Sequence, residues 1–403
     1  MKTNNSQFIV EPQKDLPVVA EYDVVVVGGG IAGVAAAAAA SRNGASVCLL
    51  EKEFGLGGLA TLGNVVIYLP LCDGMGHQVI KGLGEELLRL SVADGSFQTP
   101  ACWNSDASLE ERSKNRFEVQ FNPMSYMLEL EGFIEKNNIK LYYDSRFCDV
   151  YKNNGSIEAV IIENKEGRST LRCKTVVDAT GDADVCWRAG EETESWNSNV
   201  RCGWFYYFDG KEAKLSPFTK PYDENGDYKP DSGRGFAGDK ADDVTEIVIE
   251  SRKCIKERLE GFKRENEKAF PLFMSSIPTF RMTRKLKGAF ELAQDDDKRY
   301  FDDAVGMTGD WRKKGPIYYI PFRALAGIRT KNLLTAGRCI SVGKTAWDIT
   351  RAIPVCAVTG EAAGTAAAFF CEEKADAFLD IKVTALQERL KAQGVVIDKS
   401  FAR

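Results

Sequence analysis

The stretch that most restricts the fold of this chain is residues 23–40, DVVVVGGGIAGVAAAAAA. Its first five residues are short, β-branched and almost uninterrupted in apolar character, the pattern of a strand buried on both faces of a parallel sheet. Gly28, Gly29, Gly30 and Gly33 follow at once, and Ala35 to Ala40 give a run of high helix propensity with side chains small enough to lie close on a sheet. Asn43-Gly44 ends that helix, and residues 46–50 (SVCLL) form a second buried strand that finishes at Glu51. This is a βαβ unit. In Gly28-x-Gly30-x-x-Gly33 the glycines permit a tight turn, a close approach of backbone to a pyrophosphate, and close helix packing, while the helix N-terminus presents its positive end to the phosphates. Glu51 stands where a carboxylate takes ribose hydroxyls. A looser match, Gly55-x-Gly57-x-x-Ala60, has no strand before it and reads as a loop touching the same ligand.

Beyond this unit the pattern predicts a helix over 79–90, an irregular polar stretch over 91–120, and an amphipathic helix over 123–137 leading into a strand at 140–143. Strand-like runs at 147–151 and 157–163, split by Asn153-Asn154-Gly155, predict a β-meander with a hairpin turn, closed by a buried strand at 175–179. From about 191 to 319 the composition shifts toward aromatic and charged residues, with a loop-rich stretch at 211–243 and a charged helix over 244–267. Apolar character resumes at residues 332–336 (NLLTA), followed by Gly337-Arg338 and a small-residue helix after Pro354. The predicted class is α/β: a Rossmann-like domain made of residues 1–95, 130–190 and 325–403, with a substrate or cap domain inserted over 191–324 and 96–129 as a candidate addition to it.

Composition removes several kinds of partner. Lys+Arg 53 against Asp+Glu 58 leave a net charge of -5, without the basic footprint of a nucleic-acid binder. Eleven cysteines, an odd number with no CxxC pair, suit neither a disulfide framework nor a zinc or iron–sulfur site, so a reducing cytoplasm is expected. The first residues have no apolar leader core, and no uncharged apolar run reaches the ~18 to 20 residues of a membrane span. The expectation is a soluble protein with no membrane partner and no bound metal. The acidic run Asp295-Asp296-Asp297 reads as solvated loop, because three adjacent carboxylates cannot converge on one ion.

The glycine motif does not separate NAD from FAD, since both share the ADP half. Other blocks decide: residues 23–37, LLEKEFGLGGLATLGN (49–64), VVDATGDADV (176–185), FRMTRKLKG (280–288), YYIPFRAL (318–325), NLLTAGRCIS (332–341) and RAIPVCAVTGEAAGTAAA (351–368). On these the chain resembles the FAD-dependent oxidoreductases, a family within the glutathione-reductase-like flavoproteins. The resemblance implies FAD as cofactor, lying among Gly28, Gly30, Gly33, Glu51, Gly58, Ala60, Val150, Thr180, Gly181, Gly337 and Arg338. Ala32, Lys52, Gly57, Leu59, Ala179, Asp184 and Val355 go with them. The family's better-known members carry an acid directly after the late glycine, whereas here Gly337 is followed by Arg338. One full fingerprint leaves no second nucleotide domain for a nicotinamide donor, so the electron partner stays open.

For chemistry, the leading expectation is hydride transfer between a small organic substrate, anionic in one reading, and flavin N5. The alternatives are a flavin-binding protein of the same fold without redox turnover, and a flavoenzyme with a non-redox or modifying reaction. His77 is the single histidine and the first candidate proton carrier, against a plain surface histidine. Arg281 and Arg284 are candidates for clamping an anionic group, against an interdomain ion pair. Arg351, just before the Pro354 helix, is a candidate source of positive charge at the flavin. Cys72 reads as a buried small hydrophobe or a residue facing the flavin. Tyr318 and Tyr319 read as packing.

Overall fold

A computed structural model describes residues 9–219 and 234–403. The chain opens with β1 (Val18–Val27), α1 (Ile31–Arg42) and β2 (Val47–Leu50), then runs through β3 (Ile67–Tyr68), α2 (Leu83–Leu90), α3 (Leu109–Lys114), β4 (Val119–Gln120), α4 (Pro123–Lys136) and β5 (Lys140–Tyr142). The meander follows as β6 (Arg146–Asn153), β7 (Ser156–Asn164) and β8 (Gly167–Asp178), capped by α5 (Asp184–Arg188). Asn154 and Gly155 both take positive φ, the backbone a two-residue hairpin needs to match strand twist.

The main sheet has the order β5-β2-β1-β8-β7-β6, and β16 (Leu333–Thr335) also pairs with β8. β8 is shared: its first half pairs antiparallel with β7 at Gly167–Arg172, its last residues pair parallel with β16, and β1 lies along its other edge. Val27 stands opposite both Leu50 and Asp178, and Asp178 stands opposite Thr335, so four parallel strands end level with one another. The loops that leave them, beginning at Gly28, Glu51, Ala179 and Ala336, are thereby brought to a single edge, the place where open α/β sheets bind ligands.

One face of this sheet is covered by α1 and α8 (Ile353–Glu373), which follows the short α7 (Lys344–Thr350) and precedes α9 (Val383–Ala392). The two long helices touch through backbone, because a side chain on Gly360 or Gly364 would overlap the carbonyls of Ala32 and Ala36. Among the described residues α8 alone is long and apolar enough to cross a bilayer, and its residues 353–370 are all buried in the core. The other face carries a second core of β7, β8 and α5 side chains. The expected helix over 79–90 begins late, at Leu83, since Gly82 takes φ +60 and Val79 and Ile80 instead bond back to the Leu71 carbonyl.

The remaining strands divide between two bodies. β9 (Thr193–Ser195) pairs with β13 (Arg284–Leu286), and β10 (Trp204–Phe208), β11 (Ala213–Pro217) and β12 (Phe270–Met274) form a small sheet ordered β11-β10-β12. α6 (Ala241–Glu265) lies on that sheet through Phe205, Phe218 and Ile255, with Tyr207 stacked on Phe262 at 4.2 Å. β14 (Ala304–Gly309) and β15 (Ile317–Pro321) form a hairpin, but Met307, Ile317 and Tyr319 join the core of α1 and α8. Phe117, Phe121 and Tyr126 do the same. Packing therefore puts residues 292–322 and 117–126 with the nucleotide layer, not with an insert of 191–324 plus 96–129. Part of the stretch expected to be loop-rich, 220–233, lies outside the described residues. Asp296 and Asp297 also depart from the solvated loop expected: Asp296 is buried and accepts the Ala293 N–H, and Asp297 accepts the Ile317 N–H.

Candidate active site

The level strand ends open into a cleft of about 430 Å³. Its glycines are fixed by space. Gly28 takes φ +105, and a Cβ there would stand 2.5 Å from the Ala179 carbonyl oxygen, while one on Gly33 would overlap the Gly28 carbonyl. Around Gly30, the residue that caps α1, a Cβ would meet nothing within 4 Å. Gly28 and Gly30 thus do different work: Gly28 lets strand and loop close up, and Gly30 leaves open room directly over the α1 N-terminus. No side chain caps that terminus, so its N–H groups face the cleft as an anion site.

Glu51, 7% exposed, accepts the Gly29 N–H at 2.7 Å and the Glu53 N–H at 2.8 Å, and burial pushes its carboxyl pKa up. It fixes the glycine turn and lies in the cleft wall with Lys52. Opposite, the buried Asp178 accepts the Thr180 hydroxyl at 2.6 Å and the Cys186 N–H at 2.9 Å, which shapes the turn carrying Ala179, Thr180, Gly181 and Asp184 into the same wall. Gly57, Gly58, Leu59 and Ala60 form the next part, and Ala32, Gly337 and Arg338 the floor. Arg338 lies over Gly181, donates to the Phe280 carbonyl at 2.8 Å and reaches Asp182 at 3.3 Å.

Three expected cofactor residues stand outside the cleft wall, and Gly33 does so because it packs on the Gly28 carbonyl. Val150 is packed against the second core from the middle of β6, and the start of that strand supplies the wall through Arg146 and Phe147, with Ser145 before it. The Ser145 N–H is anchored on the Glu51 carbonyl, which brings this end of the meander, and not its middle, to the cleft. Val355 is buried in the first turn of α8, where Ile353 and Cys356 face the cleft in its place.

The catalytic candidates separate further. His77 is held by Asp73, Nδ1 to Oδ2 2.9 Å, with its ring edge-on to Phe401, 40% exposed and outside the cleft wall. Asp73 spends its other oxygen on the Met75 and His77 N–H groups. Arg284 sits in an ion pair: Nη2 meets Asp184 at 2.5 Å, Nε donates to the Asp182 carbonyl, and the guanidinium lies over Trp187. It joins β13 to the cofactor turn. The Arg281 N–H donates to Asn199 Oδ1, and Arg281 is not part of the cleft wall. Cys72 is buried and its sulfur accepts the Phe117 N–H. The Tyr318 and Tyr319 hydroxyls donate to the carbonyls of Gln294 and Asp398. Of the four catalytic candidates, Arg351 alone reaches the cleft.

Leu62, Val244, Ile277, Pro278, Phe280 and Ile353 add an apolar part to the wall of the same cleft. Ile277 and Pro278 carried no sequence signal. Phe280 and Cys356 lay inside the quoted blocks, but position in a motif does not say which side chains point inward. Burial pushes the Cys356 thiol up to about 11.

The family described as FAD dependent oxidoreductase matches residues 23–202 and 207–390. The chain belongs to the FAD dependent oxidoreductase family. The cleft fits the family's cofactor: Gly30 and the uncapped α1 terminus leave room and charge for a diphosphate, and Glu51 provides the carboxylate for a ribose. The protein is an α/β flavoenzyme and FAD is its cofactor. Over 212 residues it is 26% identical to a brominase of pyrrole-2-carbonyl groups on a peptidyl-carrier protein, from Pseudoalteromonas luteoviolacea, covering 49% of this chain and 47% of the relative. Over 72 residues it is 39% identical to a thioredoxin reductase of Ureaplasma parvum, covering 18% and 23%. The chain thus matches about half the length of the first relative and about a quarter of the second. Among solved structures, a geranylgeranyl bacteriochlorophyll reductase-like protein from Thermoplasma acidophilum covers 95% of this chain and 90% of its own, at 14% identity and a TM-score of 0.44.

Proposed function

We propose that this FAD-dependent oxidoreductase moves a hydride between a small organic substrate and its cofactor. Bound FAD supplies the capacity to take up or release two electrons as hydride. The observation that carries the reading is the apolar part of the cleft wall, to which Val244, Ile277, Pro278 and Phe280 contribute together with Leu62 and Ile353 at the start of α8. A substrate held against these apolar side chains is partly withdrawn from water, which suits hydride chemistry and limits side reactions. Arg351 makes a substrate with an anionic group a good fit. Cys356, protonated at neutral pH, is a proton-bearing group in the wall, and His77 has no part in this step. The electron partner is a separate molecule that uses the same opening, and the eleven free cysteines support a cytoplasmic setting.

The test uses holoprotein reduced by light under anaerobic conditions and mixed with quinones, enones and α-keto acids. At least one should reoxidise the bound flavin faster than it reoxidises free reduced FAD. Rates no faster than free FAD for every compound would remove the proposal. A second reading, a flavoenzyme that modifies its substrate, is favoured by the 212-residue match to the brominase. Bromination of a phenol by reduced holoprotein, oxygen and bromide would move the assignment to it.

A further inference from the structure

Arg351 does not enter the cleft as an isolated charge. Its Nε donates to Asp348 Oδ1 at 2.9 Å, and its Nη2 meets the same oxygen. The other oxygen of Asp348 lies 3.3 Å from Nη1 of Arg312. Arg312 is gripped in turn by the buried Asp310, with Nε on one carboxylate oxygen and Nη2 on the other, both at 2.9 Å. Four side chains of alternating sign thus run from the end of β14 to the cleft: Asp310, Arg312, Asp348, Arg351. The Trp311 indole N–H fixes the backbone carbonyl of Asp348 at 2.9 Å, so the spacing of this row is set by packing as well as by charge.

The row ends in the cleft wall at Arg351. Glu51 and the α1 terminus would take the ADP half of a linear dinucleotide, and Arg351 and Ile353 at the start of α8, which line the same cleft, would then lie toward its ring system. Reduction of FAD by two electrons with uptake of one proton adds one negative charge to that group. A cation beside it favours the reduced form and an anion disfavours it. Arg351 lines the cleft and Asp348, bonded to it, does not, so a ring bound there would meet a cation whose field is offset by a carboxylate that Arg312 holds through its other oxygen.

We infer that Asp348 tunes the reduction potential of the bound flavin by offsetting Arg351, with Arg312 and Asp310 fixing its position. Asp348 is a positioning residue: it acts through Arg351 and touches neither substrate nor cofactor. The inference rests on FAD binding alone and is independent of which substrate is oxidised or reduced.

Potentiometric titration of holoprotein with dithionite, in the presence of a reference dye, tests it. Asp348→Asn removes the carboxylate charge that offsets Arg351 and should move the midpoint potential upward. Arg351→Gln leaves the carboxylate and should move it downward. The double variant Asp348→Asn/Arg351→Gln should return toward wild type. Shifts of the two single variants in the same direction, or no shift in Asp348→Asn with FAD bound at full stoichiometry, would overturn the inference, because lost packing has no reason to change sign between them. If Asp348→Asn does not fold, Arg312→Gln reads the same row from behind: it leaves Asp348 and Asp310 in excess and should lower the potential, and an unchanged or higher value would count against the role of the row.

Discussion

Glu51 works on two sides, and substitution separates them. Its carboxylate holds the Gly29 and Glu53 N–H groups and faces the ribose position of the cleft. Glu51→Ala should weaken FAD binding by about 1.5 to 3 kcal/mol, one to two decades in Kd, as charge-assisted hydrogen bonds are lost. Glu51→Gln keeps an acceptor for the turn and should lose less. Titration of apoprotein with FAD, followed by quenching of flavin fluorescence, checks both, and equal Kd values for wild type and Glu51→Ala would show that the carboxylate does not bind the cofactor. Glu361 gives a prediction in pH. It is 2% exposed in the middle of α8, accepts the Leu83 N–H that begins α2, and burial pushes its pKa up to about 8. The folded protein therefore binds more protons than the unfolded chain between the ordinary carboxylate range and pH 8. This contribution to stability is whole at acid pH and declines as pH rises through that window, by roughly 3 to 5 kcal/mol. Urea melts from pH 5 to 8.5 should show the decline in wild type and a flatter profile in Glu361→Gln; identical profiles would exclude Glu361 as the source. Residues such as Glu51 were legible because a motif ties them to a fixed place on a βαβ unit. His77 was not: residue type marked it, but only the fold could show that Asp73 holds it away from the cleft.

At the scale of elements, the contact between α1 and α8 decides the most. Gly364→Ala would put a methyl group into the Ala36 carbonyl, a backbone atom that no rotamer can move aside. Alanine gains up to about 1 kcal/mol in helix propensity, but overpacking costs about 1 to 3 kcal/mol, and here the strain wins. Lower denaturation midpoints for Gly364→Ala than for wild type are expected, and a more stable variant would mean that the helices are free to part. The small residues after Pro354 marked a helix that packs closely, though not that α1 is its neighbour, and two strand-like runs split by Asn153-Asn154-Gly155 marked the meander. The start of α2 was unreadable because Gly82 takes a backbone form that periodicity does not encode. A second elemental joint is Arg284, 9% exposed, which ties β13 to the cofactor turn through Asp182 and Asp184. Arg284→Met should cost about 1 to 3 kcal/mol, the half-exposed Asp184 placing the pair between surface and buried ion pairs. Trypsin should then cut the region between 191 and 290 faster while the rest of the chain persists. Unchanged cutting would show that the joint does not hold the insert.

Across the whole molecule, the cofactor site draws on β1, β2, β8, β16, α8 and the insert, so binding joins parts that are distant in sequence. FAD at a hundred times its Kd should stabilise the native state by about 2.7 kcal/mol, and the melting temperature of apoprotein should rise with FAD concentration until its release and unfolding coincide. A melting temperature insensitive to FAD would mean that FAD does not bind the folded chain in preference to the unfolded one. The apolar blocks after residue 325 marked β16 and α8, and β16 pairs with β8 in the main sheet. The extent of the insert could not be read, since β14 and β15 resemble insert strands in composition and are claimed for the nucleotide layer only by their contacts with the α1 and α8 core. The level row of strand ends has a consequence for synthesis. β1 and its glycine turn leave the ribosome early, but β16, Arg338 and α8, which complete the sheet edge and the cleft, are translated only after the insert. Until then the alanine face of α1 has no α8 to cover it. Cofactor loading is thus confined to chains whose translation has passed α8, and a polypeptide released before that point carries a legible nucleotide motif that cannot close around its ligand.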